Sequence, residues 1–268
     1  MKEYTAAEWK GIFDFNGLRS FDDFWKLEAK WFEEPNQRRG GWSGVARCEL
    51  KLPDGGRAAV FLKRKENHIT RTFTHPVRGL STFVREFESI MRYRERNIPS
   101  LTPLYFACRR VEGKLRAILL TEELTGFRSL EEIAREWKAL PRATRFAITL
   151  ATAQLLKLIH SHQLSHNCFY PKHVFLRVTR TEQVEARVID LEKTKWRPFG
   201  LDRNFRDMRR LNSPGLPWTR ADRVRFFREY LGISRLTPEA KKKWRRIERR
   251  HFDKHPTAAG YGKTAPAN

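Results

Sequence analysis

The side chains able to do chemistry in this chain fall in a definite order. Lys63 follows the apolar run Ala58-Ala59-Val60-Phe61-Leu62. Two carboxylates, Glu86 and Glu88, sit in the segment Val84-Arg85-Glu86-Phe87-Glu88-Ser89-Ile90. A stretch rich in polar and aromatic residues carries His166, Asn167, Cys168, Tyr170 and His173, and the run Ala186-Arg187-Val188-Ile189 delivers Asp190. An ammonium, carboxylates, imidazoles and a strand-end aspartate are the groups that bind phosphate oxygens and a divalent cation. Each is unremarkable alone. Lys63 by itself is a solvated surface lysine and Glu86 a helix-flank carboxylate, so the reading depends on the elements that present them.

Val45 to Leu52 alternates apolar Ala46, Cys48, Leu50 and Leu52 with Arg47, Glu49 and Lys51, the period of a half-buried strand. Pro53-Asp54-Gly55-Gly56 turns the chain into a second strand, Ala58–Lys63, so a hairpin ends on Lys63. From Ser81 to about Asn97, Phe83, Val84, Phe87, Ile90 and Met91 recur at helical spacing, with Glu86 and Glu88 on opposite flanks of the apolar stripe. Periodicity does not rank the two carboxylates. Ala117–Thr121 reads as a buried strand running into Glu122-Glu123-Leu124, and Ser129 with Glu132 is a capping box for a helix to about Leu140. A long, mostly apolar helix starts after Pro141 and reaches His160 or His162, both read as packing histidines. A polar loop, Ser165–His173, leads to the strand Val174–Leu176, and beyond Pro198 the chain is helical and basic. Thr237-Pro238 starts a last helix bearing Lys241, Lys242, Lys243, Arg245, Arg246, Arg249 and Arg250. Gly40–Gly44 precedes the first strand, where a phosphate-covering loop belongs, but lacks the GxGxxG pattern and reads at least as well as a plain turn.

A hairpin ending in lysine, a helix with a flanking carboxylate, a strand into a connector, a buried helix, a histidine loop and a strand ending in aspartate form the ordered parts of a protein-kinase-like bilobal α+β fold. Val60-Phe61-Leu62-Lys63 stands in the place of V-A-I-K and Asp190-Leu191-Glu192 in the place of D-F-G. With these segments, the sequence resembles the Kdo/WaaP and InaA-like lipopolysaccharide kinase family, from about residue 42 to 232. The resemblance rests on residues 84–90, Leu120-Thr121-Glu122-Glu123-Leu124, His160–His166 with Tyr170 and His173, and Val188-Ile189-Asp190-Leu191. It implies a small N-lobe (1–124), a helical C-lobe (125–257) and an ATP site using Mg²⁺, while the Gly, Ala, Pro and Thr of 258–268 read as a flexible tail. Lys63 would hold phosphates with Glu86, rather than Glu88, as its partner. Glu122, Glu123 and Leu124 would form the adenine-binding hinge, Asp190 and His173 would hold the metal, and Asp207 would support a catalytic loop containing His166 and Cys168.

The histidine loop departs from the kinase pattern. Counting from His166 in H-R-D-x-x-x-x-N, Asn167 replaces arginine and Cys168 replaces the catalytic aspartate. A thiol is a weak proton acceptor at neutral pH, and general-base catalysis is worth about 10² to 10⁴ in rate. Slow transfer, and nucleotide binding without transfer as a pseudokinase, therefore both stand as expectations, as does a role for Cys168 in catalysis.

The composition limits the setting. The 268 residues carry 54 Lys+Arg against 31 Asp+Glu, a net charge of +23, with 40% hydrophobic residues, enough for a folded core. The apolar run at Ala147–Leu156 is too short and too interrupted to cross a bilayer, and the first residues offer no signal-peptide core. Three cysteines without paired spacing imply neither disulfides nor zinc. The composition leads to the expectation of a cytoplasmic protein with an anionic partner, and the resemblance implies that this is the lipopolysaccharide core, another anionic glycolipid or the anionic surface of the inner membrane, to which the protein would be peripheral. Nucleic acid is disfavoured by the lack of an RNP-like or helix-turn-helix signature.

Overall fold

A computed structural model describes residues 2–38, 41–67, 69–72, 75–179, 181, 183–197, 202–212 and 216–252. Gly40 and the tail 258–268 lie outside the described residues. The chain forms two compact units, Met1–Thr125 with Asp190–Lys193, and Gly126–Ile189 with the chain from Thr194 onward. The whole is mixed α and β, as the order of residues predicts. No helix among the described residues is long and apolar enough to cross a membrane.

The first unit contains β1 (Lys2–Thr5), α1 (Lys10–Phe15), α2 (Phe21–Lys26), β2 (Lys30–Arg38), β3 (Gly41–Lys51), β4 (Arg57–Glu66), β5 (Ile69–Thr72), β6 (His75–Ser81), α3 (Thr82–Glu95), β7 (Pro103–Val111) and β8 (Lys114–Glu122). Six strands make an antiparallel sheet in the order β1-β7-β8-β4-β3-β2, and β5 pairs with β6. The β3–β4 hairpin forms as its alternation predicts, and Gly55, at φ 89°, takes the left-handed turn position that favours glycine.

Successive side chains of β4 point to opposite faces of the sheet. Val60 and Leu62 belong to a core shared with Phe13, Phe21 and Phe24 of the two short N-terminal helices and with Leu104 and Leu120. The N-terminal segment, for which sequence periodicity gave no element, thus covers one face. Ser20 and Asp23 form a reciprocal capping box that fixes the start of α2. The opposite face carries Lys63, Lys65 and Leu119, and α3 packs there through Phe87, stacked on Phe106 with centroids 4.3 Å apart.

Two expectations are corrected. Strand β4 does not end at Lys63 but continues to Glu66, because Arg64 and Lys65 are buried rather than solvated. The described part of the glycine segment, Gly41–Gly44, is strand and not turn. A Cβ on Gly44 would lie 2.5 Å from the Trp31 ring, so the missing side chain makes room for an indole on the neighbouring strand.

The second unit contains β9 (Arg128–Ser129), α4 (Leu130–Arg135), α5 (Arg142–Ser161), β10 (Leu164–Ser165), β11 (Val174–Val178), β12 (Val184–Val188), β13 (Lys195–Trp196), α6 (Asp202–Leu211), α7 (Arg220–Leu231) and α8 (Pro238–Phe252). The strands form two small sheets, β12-β11-β9 and β10-β13. Both bonds of the Ser129–Glu132 capping box are present. Helix α4 stops at Arg135, short of the expected Leu140, where Trp137 turns inward and Pro141 disfavours helical geometry at the residue before it. Helix α5 runs as its periodicity predicts. Thr149 and Thr152, buried in it, donate their hydroxyls to Arg145 O and Ile148 O at 2.8 Å, which satisfies polar groups inside an apolar helix. Trp244 and Ile247 anchor α8, leaving Lys241, Lys242, Lys243, Arg245 and Arg246 exposed.

Candidate active site

In the first unit, Lys63 Nζ lies 2.5 Å from Glu86 Oε1. The strand period turns Lys63 toward α3, and the helical period turns Glu86 inward, where it is 3% exposed, while Glu88 is only half-buried. A carboxylate this buried is stabilised by a paired cation. The ammonium is about one-fifth exposed along its side chain, so the pair is anchored on one side and reachable on the other.

Lys65, which sequence reading passed over, lies two residues along the same strand and therefore on the same face. It is 4% exposed, donates to Thr82 Oγ1 in the first turn of α3, and sits 4.4 Å above the Phe83 ring. Burial holds its amine below the usual lysine range, and Glu192, Glu86 and Asp190 oppose that shift. The short segment Leu191–Lys193 packs on α3 in this unit, with Leu191 fully buried. Asp190 heads that segment with a left-handed backbone, φ 61°, two residues beyond the end of β12.

The connector Glu122–Leu124 is partly committed to the sheet. Glu122 N–H donates to Thr102 O and Glu123 N–H to Ala59 O, both at 3.0 Å. The Glu123 carboxylate accepts a bidentate pair from Arg47, at 2.6 and 3.0 Å, which raises the guanidinium pKa. Glu123 is therefore a brace between β3 and the connector.

In the second unit, the segment expected as a polar loop is buried from Ser165 to Phe169. Its backbone is satisfied from within. Asp207 on α6, fully buried, accepts His166 N–H at 2.9 Å and Asn167 N–H at 2.8 Å. His160 Nε2 meets the same carboxylate at 3.2 Å and its Nδ1 meets Tyr230 OH at 2.8 Å. His160 is a packing histidine with a polar task, since it ties α5 to α6 and α7.

The hydrogen bonds also fix two tautomers. Cys168 N–H donates to His166 Nδ1 at 3.2 Å, so His166 carries its proton on Nε2 and donates it to Ile189 O at 3.0 Å. His173 Nδ1 donates to Cys168 O at 2.8 Å, which leaves the lone pair on Nε2. Ile189 N–H donates to His173 O at 3.0 Å, which ties the chain entering Asp190 to the start of β11. Cys168 is buried, and its backbone groups are held from both sides.

Residues 22–230 match the Lipopolysaccharide kinase (Kdo/WaaP) family. The match starts inside α2, so part of the N-terminal cover of the sheet belongs to it. The chain is 29% identical over 199 residues to Protein InaA of Escherichia coli K12, covering 72% of this chain and 88% of that protein. It is 25% identical over 248 residues to the Lipopolysaccharide core heptose(I) kinase WaaP of the same organism, covering 87% of each. A solved structure, WaaP in complex with acyl carrier protein, superposes with a TM-score of 0.70 at 20% identity, covering 96% of this chain and 99% of that one, and shares the fold. The lysine strand, the carboxylate helix and the aspartate-braced histidine loop are thus the parts of a known scaffold, and the chain belongs to the lipopolysaccharide kinase (Kdo/WaaP) family.

Proposed function

We propose that this protein is an ATP-dependent phosphotransferase acting on a sugar of the lipopolysaccharide core, at the cytoplasmic face of the inner membrane. The observation that carries this reading is the Lys63–Glu86 pair, an ammonium fixed by a buried carboxylate on one side and accessible on the other. In this reading Lys63 grips nucleotide phosphates and Glu86 keeps it oriented. Leu124 offers the connector's N–H to the base, since those of Glu122 and Glu123 are used within the sheet. Asp190 and His173 Nε2 suit a divalent cation, with the carboxylate the better ligand for Mg²⁺, and the ion when bound neutralises phosphate charge. The exposed cations of α8 support peripheral contact with an anionic membrane. That contact is electrostatic, because the apolar side chains Ala240, Trp244 and Ile247 are buried.

Cys168 favours a second reading, a pseudokinase that binds nucleotide without transfer. Phosphoryl transfer relies mainly on positioning and charge neutralisation, so loss of the base slows the reaction rather than forbidding it. The test is transfer of radiolabelled phosphate from Mg-ATP to purified lipopolysaccharide core, with Cys168→Asp beside the parent. Transfer by the parent supports the kinase. Mg-ATP binding with no transfer, and activity only in Cys168→Asp, supports the pseudokinase. No nucleotide binding by the parent rejects both.

A further inference from the structure

The buried loop of the second unit is flanked by two exposed aromatic side chains, each accompanied by a cation. At its far end Tyr170, 36% exposed, follows Phe169 and carries the Arg210 guanidinium 5.6 Å above its ring. At its near end β10 pairs with β13 in the register Leu164↔Trp196 and Ser165↔Lys195, so the residue ahead of His166 faces an exposed lysine beside a tryptophan that is 59% exposed. Arg197 N–H donates to Gln163 O at 2.8 Å and holds this ribbon in place. Helix α6 supplies both the carboxylate that braces the loop, Asp207, and, one turn on, Arg210.

Two polar atoms here lack a hydrogen-bond partner among the described residues although both are buried, Arg210 Nη1 and Ser165 Oγ. A buried guanidinium N–H without an acceptor is costly, and an anionic oxygen is its strongest partner. A planar aromatic face with a polar rim covers the apolar face of a ring at little entropic cost. Neither feature is needed to hold nucleotide, whose proposed contacts are Lys63, the connector, and Asp190 and His173 through the cation.

We propose that Tyr170 with Arg210 and Trp196 with Lys195 form the acceptor-binding surface, and that it takes a sugar already bearing a phosphate. The aromatic rings cover the sugar, and Arg210 and Lys195 hold the anionic group. This rests on the kinase-family reading and adds to it the acceptor's charge and the residues that read it. The acceptor hydroxyl would then be presented to the loop that carries Cys168.

The experiment is calorimetric titration of the full chain, without nucleotide, with core oligosaccharide in its native phosphorylated form and after removal of phosphate by hydrofluoric acid. The expected result is about tenfold or greater preference for the phosphorylated form in the parent. Arg210→Gln should abolish the preference, Lys195→Glu should reduce it, and Trp196→Ala should weaken both oligosaccharides about equally. Lys195 and Trp196 are exposed, so their variants test the surface even if Arg210→Gln loses its fold. Absence of preference in the parent, preference unchanged in Lys195→Glu, or unchanged binding by Trp196→Ala overturns the proposal. Mg-ATP binding, titrated separately, decides the nucleotide reading whatever the oligosaccharide result.

Discussion

The two units differ in how they keep the kinase pattern. In the first, the side chains are of the types that the pattern expects: Lys63 is paired with Glu86, and Asp190 heads a segment packed on α3. In the second, the buried frame of the loop is complete while one side chain departs from the pattern. Asp207, His160 and Tyr230 brace a loop whose expected carboxylate is the Cys168 thiol. The frame is held by backbone hydrogen bonds that do not depend on which side chain sits at position 168. The residue at position 168 can therefore be exchanged without loosening the loop that carries it.

Breaking the frame should cost most. Asp207→Ala removes the acceptor of two buried N–H groups and the partner of His160, and it should destabilise the protein by about 3–5 kcal/mol. Chemical denaturation would show this, and a loss under 1 kcal/mol would make the brace incidental. Lys63→Ala acts on a pair that is exposed on one side. It leaves the buried Glu86 carboxylate without its cation, which should cost about 1–3 kcal/mol, less than Asp207→Ala, while Mg-ATP binding falls by about 10² to 10³ with the loss of one preorganised electrostatic contact. Equal losses of fold and binding would erase the contrast between the units.

Lys65→Met sharpens the distinction between two lysines on one face. Its buried bond to Thr82 should be worth about 1–2 kcal/mol of stability. Its removal should also speed amide exchange in residues 190–194, because Lys65 faces Glu192 and Asp190. Unchanged exchange there would mean that Lys65 serves α3 alone. Ser129→Ala, in the second unit and away from the loop, should cost about 1 kcal/mol. Hydrogen bonds from Ser129 hold the Glu132 carboxylate below its usual range. That part of the stabilisation is present above the normal glutamate pKa and fades as pH falls through the lowered one, so the gap between parent and variant should narrow in acid to what the Glu132 N–H bond to Ser129 Oγ contributes. A gap that does not narrow at all would mean that the Ser129 hydroxyl acts through the N-cap bond alone.

Local chemistry made much of this legible. The β3–β4 hairpin, the Ser129 cap and α5 follow from alternation, a glycine turn and an apolar stripe. Lys65 was not legible because its burial is imposed by Thr82 and Phe83, distant in sequence, and charge alone reads as solvation. Strand β7 was missed for a related reason. Its residues Leu104–Ala107 are buried on both faces, so no alternation marks them. Likewise, the loop at Ser165–Phe169 looks polar, and only Asp207, forty residues away from Asn167, explains how it can be buried. The choice of Glu86 over Glu88 came from resemblance, since helical spacing left the two equivalent, and the Lys63 distance agrees with it.

The backbone at Asp190 has a consequence for selection. A left-handed φ of 61° suits glycine and asparagine better than aspartate, and holding a residue there costs about 1–3 kcal/mol. Glycine would relax the chain at this point and at the same time delete the carboxylate. In a library screened for heat resistance alone, position 190 should drift toward glycine or asparagine, and in one screened for phosphate transfer it should return to aspartate. If Asp190 holds the cation as proposed, heat resistance and transfer pull this one residue in opposite directions, and sequencing the two pools would show it directly.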